Sequence, residues 1–513
     1  MDTNTLALEK QKIGEVFTPI KWSRWLIKRW NIFDQWVSGK SICDPTAGRG
    51  SFAIALFEEA IERQISLKQS HFENLHLIEL SQNNLDYFRS YVDNHYSISF
   101  PESSLHCCDI ITETINKDFD ILVGNPPWAN FADLPHFYKE KLKQYFIQYG
   151  LVPDRKAVLL GSSRTDIAAL VIKVAIKTLL KNHGVGYFFV PLSLFSGSEA
   201  HTGFRDYRAG EFAFAVDEVL EFNKTAIFDG IGTSYCCASF RKGFEHKFPV
   251  AYFRENGNGW SQFEAIPLKS PSDQWRVLKV GAKADIGKIK VTLLSHQKPR
   301  QGVNTCGANN VLIFNSYPDF LEKDFVFPLA TKHNWRTPDA EPEKWIFLPY
   351  DSKTGRPLSL SSLKAIQGYD YLLDYKDKLE NRKGTLINAY ISKGLWWGML
   401  GVGIYSFAPY KVIWEAYGSR EFHPIVLSDF NSQCWQANQA MQAFIPAWSV
   451  EDAMRICSEL RNPSISRLLA ELNGDGKCNF AQPGKVKKIL EYDAPVAEQM
   501  TLLETPDDYR TRR

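Results

Sequence analysis

The stretch that decides the fold is Asp120-Ile-Leu-Val-Gly-Asn-Pro-Pro-Trp128. The apolar run at residues 121–123 has the length and β-branched content of a buried parallel strand. Two prolines follow it closely, and proline lacks the N–H group that a strand ladder needs. The pattern therefore predicts a central strand that presents Asn125 and Trp128 at its carboxyl end, the edge at which open α/β sheets bind ligands.

This turn groups features that suit an amino group on a planar ring. The side-chain oxygen of Asn125 and the carbonyl of Pro126 are acceptors, and two converging acceptors suit an –NH2 donor. The rigid Pro126-Pro127 turn also places the flat face of Trp128 beside them. An exocyclic amine of a nucleobase fits both features, and acceptors that draw its lone pair out of the ring make it a better nucleophile. The alternative is a plain strand that ends at the prolines and carries a surface tryptophan. Only the surrounding sequence decides between this alternative and a site for a nucleobase amine.

An earlier segment has the order strand, glycine turn and helix. Lys40-Ser-Ile-Cys-Asp44 predicts a short strand, Pro45-Thr-Ala-Gly-Arg-Gly50 a tight turn, and residues 51–63 a helix. Glycine lets the backbone approach a ligand closely, so this order predicts a nucleotide-type pocket. The glycine spacing also fits NAD, but an acid before the turn favours a ligand with an ammonium group. The candidate cofactor-binding residues here are Asp44, Pro45, Ala47, Gly48 and Gly50.

Two further predicted strands end in acids. They are Leu75-His-Leu-Ile-Glu79 and Leu105-His-Cys-Cys-Asp109. Glu79 suits the hydroxyl groups of a ribose and Asp109 the amino group of an adenine. Either acid alone could simply be solvated. A βαβ series that carries Asp, Glu, Asp and Asn at successive strand ends, however, predicts one composite site.

Other segments complete this domain. Asp166 opens an amphipathic helix over residues 167–180, and residues 187–191, 216–222 and 235–240 predict strands, the last of which is expected to close the sheet. Phe228, beside Asp229-Gly230, could cover a planar ligand or could be an ordinary core residue. Near the start of the chain, Thr18-Pro19 is typical of a capping hydroxyl before a helix over residues 20–30.

Length and composition limit the class of protein. With 513 residues, 44% of them hydrophobic, the chain suggests two or three domains with substantial cores. The net charge of +2 neither indicates nor excludes nucleic acid as a partner. Nine cysteines form no Cys-x-x-Cys pair, which predicts buried reduced thiols rather than a zinc site or disulfides. No signal peptide or long apolar stretch is visible, so we expect a cytoplasmic protein with no membrane association and no metal.

The βα rhythm ends near residue 245. Residues 246–440 interleave basic and aromatic residues, as in Lys332-His-Asn-Trp-Arg336 and Asn381-Arg-Lys-Gly384. Basic groups suit phosphates, and aromatic groups suit bases, although each cluster alone could be a solvated turn. Residues 450–472 have a helical pattern, followed by a polar tail. The predicted domains are 1–245 for cofactor binding, 246–440 for recognition of a substrate, and a C-terminal helical segment over 441–513.

With these pieces in order, the chain resembles the amino-group DNA methyltransferases of the γ arrangement. It is similar to the adenine-N6 enzymes of type II restriction–modification systems, close to the TaqI group. Over residues 12–245 the resemblance rests on sequence motifs. Over the rest of the chain it rests only on the position of that region and on its mixture of basic and aromatic residues. It implies a Rossmann-like class I methyltransferase domain followed by a mixed α+β target-recognition domain. It also implies S-adenosyl-L-methionine as cofactor and double-stranded DNA as substrate.

The resemblance assigns a role to each matching residue. For the cofactor these are Thr18, the methionine-binding motif from Asp44 to Gly50, Glu79 for the ribose and Asp109 for the adenine, and Asn125 is expected to contact the cofactor as well. For catalysis they are the tetrapeptide Asn125, Pro126, Pro127 and Trp128, whose last position is more often Tyr, and Phe228 on the other side of a flipped base. Asp166 matches a helix start beside the cofactor. The implied reaction swings the target adenine out of the duplex, after which N6 attacks the methyl group.

Other readings of the same motifs remain. Methyltransferases acting on ribosomal RNA or on protein glutamine also carry Asn-Pro-Pro-aromatic, but they tend to lack a large C-terminal region. A non-catalytic DNA-specificity subunit could keep the fold as a scaffold, which the intact acids and tetrapeptide disfavour. No convincing Pro-Asp…Glu-x-Lys nuclease set is present and the cofactor motifs begin almost at once. Any cleavage is therefore expected to need a separate restriction endonuclease subunit.

Overall fold

The computed structural model describes residues 16–491 except 153–164, 198, 224, 229, 231, 258, 283–288, 292, 295, 418–420, 439–441 and 474–479. The chain divides into two compact units, Met1–Ile286 and Gly287–Arg513. None of the described helices is both long enough and apolar enough to cross a membrane.

One long sheet organises the first unit. Its strands are β1 Ile42–Asp44, β2 Leu75–Glu79, β3 Leu105–Cys107, β4 Phe119–Gly124, β5 Leu180–Pro191, β6 Arg208–Ala209, β7 Phe212–Phe222, β8 Tyr235–Lys242, β9 Val250–Glu255, β10 Trp260–Pro267 and β11 Trp275–Lys279. The spatial order is β3-β2-β1-β4-β5-β8-β7-β9-β10-β11, with β6 paired to β7 off that path. The helices are α1 Ile20–Arg29, α2 Ile32–Val37, α3 Ser51–Glu62, α4 Gln69–Glu73, α5 Gln82–Tyr96, α6 His136–Gln148, α7 Ile167–Thr178 and α8 Ser193–Ser196.

The strands β3, β2, β1, β4 and β5 are parallel, and the central strand β4 is buried on both faces. Within β4, Ile121 and Val123 join the core that contains α1, α2, α3 and α5. Leu122 joins the core on the opposite face, with α6 and α7. A strand between two helical layers must be apolar on both faces, which explains the unbroken Ile-Leu-Val run. The prediction of a central strand at this place is confirmed.

The sheet continues beyond the last strand expected from the sequence. β8 is antiparallel to β5 and β7, β9 runs parallel to β7, and β10 and β11 extend the edge as antiparallel strands. The sheet therefore does not close at Phe240, and the first unit reaches Ile286 rather than residue 245. The side chains of β10 are mostly half-buried, so these strands lack the apolar runs by which buried parallel strands are recognised.

Two helix boundaries also differ from expectation. Pro19 is the N-cap of α1, and among the described residues no side-chain hydrogen bond caps this helix, so the Thr18 hydroxyl is not a cap. A capping side chain must sit on the N-cap residue itself to reach the free N–H groups of the first turn, and Thr18 lies one position too early. The helix that follows Asp166 ends at Thr178, and Leu180 already belongs to β5.

The second unit contains several small sheets and short helices around its own apolar clusters. Its strands are β12 Ile289–Lys290, β13 Arg300–Gln301, β14 Ile313–Phe314, β15 Val326–Pro328, β16 Trp345–Phe347, β17 Tyr350–Asp351, β18 Arg356–Pro357, β19 Tyr410–Glu415, β20 Ile425–Leu427, β21 Gln442–Ala447 and β22 Leu490–Glu491. Its helices are α9 Asn309–Leu312, α10 Lys332–Arg336, α11 Leu360–Lys364, α12 Tyr369–Asp374, α13 Lys376–Glu380, α14 Thr385–Ile391, α15 Val450–Leu460, α16 Pro463–Asn473 and α17 Pro483–Ile489.

The expected division of this region at residue 441 does not coincide with a structural boundary. β21 begins at Gln442 and lies inside the four-stranded sheet β13-β21-β19-β20. Two helices, α15 and α16, occupy the segment for which one helical stretch was expected, because Pro463 starts a new helix.

Candidate active site at the ends of the parallel strands

Two cavities lie at the carboxyl ends of the parallel strands, each of about 360 Å³. The first cavity includes Thr18, Asp44 and Ala47 in its wall, and the second includes Pro45, Glu79, Asp109 and Pro127. Both cavities share Val16, Phe17, Thr46, Gly48 and Asn125. The fold thus brings together most of the predicted site residues, while Gly50, Pro126, Trp128 and Phe228 lie outside the two walls.

The glycine turn is held in place by the acid of the neighbouring strand. Gly48 and Gly50 have φ angles of 55° and 74°, a backbone conformation that favours glycine. The N–H of Gly48 donates to Glu79 Oε2 at 2.8 Å, and Glu79 Oε1 accepts from Ser81 N at 3.0 Å and Asn84 Nδ2 at 3.1 Å. Both oxygens of the expected ribose-binding acid are therefore already engaged by the chain itself.

Asp44 is in the opposite situation. Its carboxyl is 3% exposed and accepts one backbone hydrogen bond, from Thr46 N at 3.1 Å. Burial raises the pKa of Asp44 well above its ordinary value, the Thr46 hydrogen bond opposes this, and the neighbouring charge of Glu79 adds to it. No cation in the described part of the chain pairs with it. A buried carboxylate in this state suits a cationic ligand group.

Asp109 lies two residues beyond the end of β3 and has partners in its own chain. Its Oδ1 accepts from Ile111 N at 3.1 Å, and its Oδ2 pairs with Lys141 Nζ at 3.0 Å. Burial, together with the charge of Asp109 and a hydrogen bond to it, raises the pKa of Tyr138. The expected adenine-binding acid is therefore part of a polar group with α6, which no sequence motif indicated.

Asn125 keeps an acceptor without a partner. Its Nδ2 donates to the carbonyl of Val16 at 3.2 Å. Its Oδ1 is buried and has no hydrogen-bond partner among the described residues. A buried polar atom without a partner is costly in the unliganded protein and marks a place where a ligand donor fits.

The two expected stacking rings contact each other. The ring centres of Trp128 and Phe228 are 4.9 Å apart with an interplanar angle of 79°. This edge-to-face contact leaves no parallel slot between them, so the structure does not show the two-sided arrangement that the resemblance implies. Phe228 is 3% exposed and also packs against Phe189, as a core residue would.

Tyr235 is a third ring at this place that the sequence did not reveal. Its centre lies 5.5 Å from Trp128 and 5.2 Å from Phe228. Its hydroxyl accepts from Ile227 N at 2.7 Å and donates to the Thr225 carbonyl at 2.9 Å. Tyr235 therefore fixes the segment that carries Phe228. Nothing in the sequence Thr225-Ala-Ile-Phe228 indicates that the first residue of β8, Tyr235, contacts this segment.

Asp166 lies behind the tetrapeptide and not in either cavity wall. Its Oδ2 accepts from Ser193 Oγ at 3.0 Å and lies 3.3 Å from His201 Nε2. Burial raises the pKa of Asp166 to about 6 and lowers that of His201 to about 3. A backbone bond from Ile167 N to the Ala129 carbonyl ties this segment to the residue that follows Trp128. Ile167 itself does line the second cavity.

The order of the parallel strands, with β8 inserted antiparallel beside β5, and the site at their carboxyl ends define a class I S-adenosylmethionine methyltransferase fold. Residues 49–228 match a family whose description is Eco57I restriction-modification methylase. The match begins in the glycine turn and ends at Phe228, so it includes the ends of β2, β3 and β4 but starts after Asp44 at the end of β1. No curated protein matches the chain.

The chain is also similar to several solved structures. The type IIL restriction-modification enzyme MmeI in complex with DNA is 10% identical with a TM-score of 0.57, covering 94% of this chain and 66% of that one. The DrdV–DNA complex is 12% identical with a TM-score of 0.49, covering 93% and 56%. A putative class I S-adenosylmethionine-dependent methyltransferase from Listeria monocytogenes is 13% identical with a TM-score of 0.34, covering 49% and 71%. The chain thus spans less than two thirds of the length of the two DNA-bound structures.

Proposed function

We propose that this protein is a DNA methyltransferase that transfers a methyl group from S-adenosylmethionine to N6 of adenine. The observation that carries the proposal is the buried, unpartnered Oδ1 of Asn125 at the end of the central strand. Asn125 lines both cavities at the ligand-binding edge of the sheet, and Pro126 is the next residue in the chain. The match to a restriction-modification methylase family and the likeness to MmeI, solved with DNA, support the reaction class and the substrate.

The residues present fit the cofactor. Asp44 is a buried carboxyl with no cationic partner among the described residues, which suits the ammonium group of the methionine end. The second cavity offers Glu79 and Asp109 together with the apolar Leu80 and Ile110, which suits a nucleoside. Thr18 stands in the wall of the first cavity. S-adenosylmethionine supplies a methyl group that its sulfonium activates for transfer.

The chain's own part in the reaction is to position the target amine. Asn125 Oδ1 and the Pro126 carbonyl accept hydrogen bonds from the –NH2 group and draw its lone pair out of conjugation with the ring. Because the dipoles are fixed before the substrate arrives, they favour the transition state without reorganisation. Swinging the base out of the duplex costs a few kcal/mol, which stacking on Trp128 partly offsets. For Phe228 to stack on the other side of the base, its edge-to-face contact with Trp128 would have to open.

We also propose that the second unit, Gly287–Arg513, recognises the DNA target. Its helix α10 exposes Lys332, His333 and Arg336, and basic side chains of this kind suit phosphate groups. A partner restriction endonuclease remains a prediction from the sequence.

Transfer of labelled methyl from S-adenosylmethionine tests the function. Unmethylated genomic DNA, ribosomal RNA and mixed protein serve as parallel substrates, and mass spectrometry of nucleosides identifies the product. We expect N6-methyladenine in DNA. Label confined to RNA or protein, or N4-methylcytosine as the DNA product, would contradict the proposal.

A further inference from the structure

The first cavity contains two side chains of opposite charge that do not pair with each other. Asp44 and Arg49 are the charged residues in its described wall, and they flank the glycine turn. Asp44 is buried, whereas Arg49 is exposed at the cavity wall. Within the described ranges, Arg49 forms no ion pair with any acid. Unpaired opposite charges in one cavity indicate a ligand that is itself a zwitterion.

Arg49 is held in place by aromatic rings rather than by an acid. Its guanidinium carbon lies 4.7 Å from the ring centre of Phe17 and 4.6 Å from that of Tyr87. Such contacts use the faces of the guanidinium and leave its N–H donors free in the plane. Those donors suit the two oxygens of a carboxylate. Because the two rings already restrict the Arg49 side chain, it loses less conformational freedom when it binds a ligand.

Phe17 links this arginine to the glycine turn. A Cβ atom at Gly48 would lie 3.2 Å from the Phe17 ring, so the ring packs closely on the turn. The carbonyl of the preceding residue, Val16, accepts the hydrogen bond from Asn125. The same short segment therefore contacts both the cation and the candidate catalytic amide.

We propose that Arg49 binds the α-carboxylate of S-adenosylmethionine while Asp44 binds its α-ammonium group. This inference rests on the proposed function, because it assigns the amino-acid end of that cofactor to the first cavity. Ser51 and Phe52, at the start of α3, also line the cavity, and the free backbone N–H groups of a helix start suit a carboxylate as well. Loss of Arg49 therefore weakens binding rather than abolishing it.

Two ligands that differ only by the carboxylate provide the test. Calorimetric titration without DNA compares S-adenosylmethionine with decarboxylated S-adenosylmethionine, on the wild type and on Arg49→Met. Methionine retains an apolar stem against the rings but carries no charge. We expect Arg49→Met to bind S-adenosylmethionine about tenfold more weakly, the loss of a charge-assisted hydrogen bond at an exposed site. Its affinity for the decarboxylated ligand stays within about twofold of the wild type.

A matched control is Arg89→Met, an exposed arginine on α5 outside both cavity walls, which leaves both affinities unchanged. An equal loss for both ligands would show that Arg49 only holds Phe17 and Tyr87 in place, and would overturn the inference. Unchanged binding of S-adenosylmethionine by Arg49→Met would overturn it while leaving the proposed function intact. A wild type that binds neither ligand would overturn the proposed function and this inference together.

Discussion

The ends of β1 and β4 differ from the ends of β2 and β3 in how their polar groups are satisfied. At the ends of β1 and β4, Asp44 keeps a carboxyl without a cation and Asn125 keeps an amide oxygen without a donor in the described structure. At the ends of β2 and β3, Glu79 and Asp109 are engaged by backbone N–H groups, Asn84 and Lys141. The same sheet edge therefore has an open half, Asp44 and Asn125, whose polar groups lack a full set of partners, and a satisfied half, Glu79 and Asp109, whose polar groups have partners within the chain. Groups in the open half are suited to bind ligands, and groups in the satisfied half shape the loops around the site.

The largest effect is expected at Asn125, in the open half. Asn125→Ala removes the free acceptor, so kcat for methyl transfer falls by roughly 10³-fold, as for other single groups that stabilise a transition state. Binding of S-adenosylmethionine stays within about threefold, because the cofactor's charged end is held elsewhere. Single-turnover transfer and calorimetry measure the two quantities. Asn94→Ala, an exposed asparagine on α5, is the control, and turnover of Asn125→Ala near the control rate would remove Asn125 from the mechanism.

The second effect is expected at Asp166, an acid with hydrogen-bonding partners in its own chain, and it changes the free energy of unfolding. Burial raises the pKa of Asp166 to about 6, above the ordinary value of 3.8, so the folded state favours the protonated carboxyl. This contribution to stability is present below about pH 4 and is lost as the pH rises through 6. Asp166→Asn should therefore raise the free energy of unfolding by about 3 kcal/mol at pH 7.5 and by roughly half as much at pH 5.

Urea titrations of the wild type and Asp166→Asn at the two pH values measure this difference. A gain that is equal at both pH values would mean that the ionisation of Asp166 is not its source. Cofactor affinity is expected to be the same in both proteins, because Asp166 bonds to Ser193 and lies outside both cavity walls.

The third effect is expected at Asp44, in the open half, and it concerns the affinity for the cofactor. Removing the charge that faces the ammonium group should weaken binding of S-adenosylmethionine by roughly 10- to 100-fold. Because the pKa of Asp44 is raised, wild-type affinity should increase with pH as the carboxyl loses its proton. Calorimetry across a pH series should show this increase in the wild type and not in Asp44→Asn. A wild-type affinity that does not vary with pH would argue that the ammonium is bound by another group.

The smallest effect on the cofactor is expected at Glu79. Its carboxylate already accepts from Gly48, Ser81 and Asn84, and a glutamine at this position would keep one of the two oxygens as an acceptor. Glu79→Gln should weaken cofactor binding by less than about fivefold and lower stability by about 1 kcal/mol, the net value of one hydrogen bond. Calorimetry and urea titration measure the two changes. If Glu79→Gln weakened cofactor binding as severely as Asp44→Asn, the proposed difference between the open and the satisfied half of the sheet edge would be wrong.

The sequence predicted the parallel half of the sheet well because its central strands are buried on both faces. The run at residues 121–123 in β4 and the run at residues 187–190 in the second half of β5 are apolar and buried, and turns or acids follow at the strand ends, which fixes the site at one edge. The strands β9 and β10 are only partly buried, and β11 combines its apolar residues with Arg276 and Lys279, so these strands carry a weaker signal. The hairpin between β9 and β10 could still have been found, since Asn256-Gly-Asn-Gly259 is typical of a turn.

The state of each site residue could not be predicted, because it depends on distant segments. Lys141 reaches Asp109 across 32 residues, and the Val16 carbonyl reaches Asn125 across 109. Periodicity assigns a residue to a face of the sheet but does not identify the atom of another segment that arrives there. The resemblance therefore gave the same weight to four strand-end residues that the structure divides into two pairs.

Gly50 has a consequence for how related sequences can diverge. A Cβ atom at this position would lie 2.2 Å from the ring of Phe88 on α5, and the φ angle of 74° would strain any other residue. Phe88 in turn packs edge-to-face against Phe100, with ring centres 5.2 Å apart. Any lineage that replaces Gly50 must first shrink position 88, and it then leaves Phe100 without its neighbour. We expect these three positions to vary together, so that the turn and α5 are inherited as one unit.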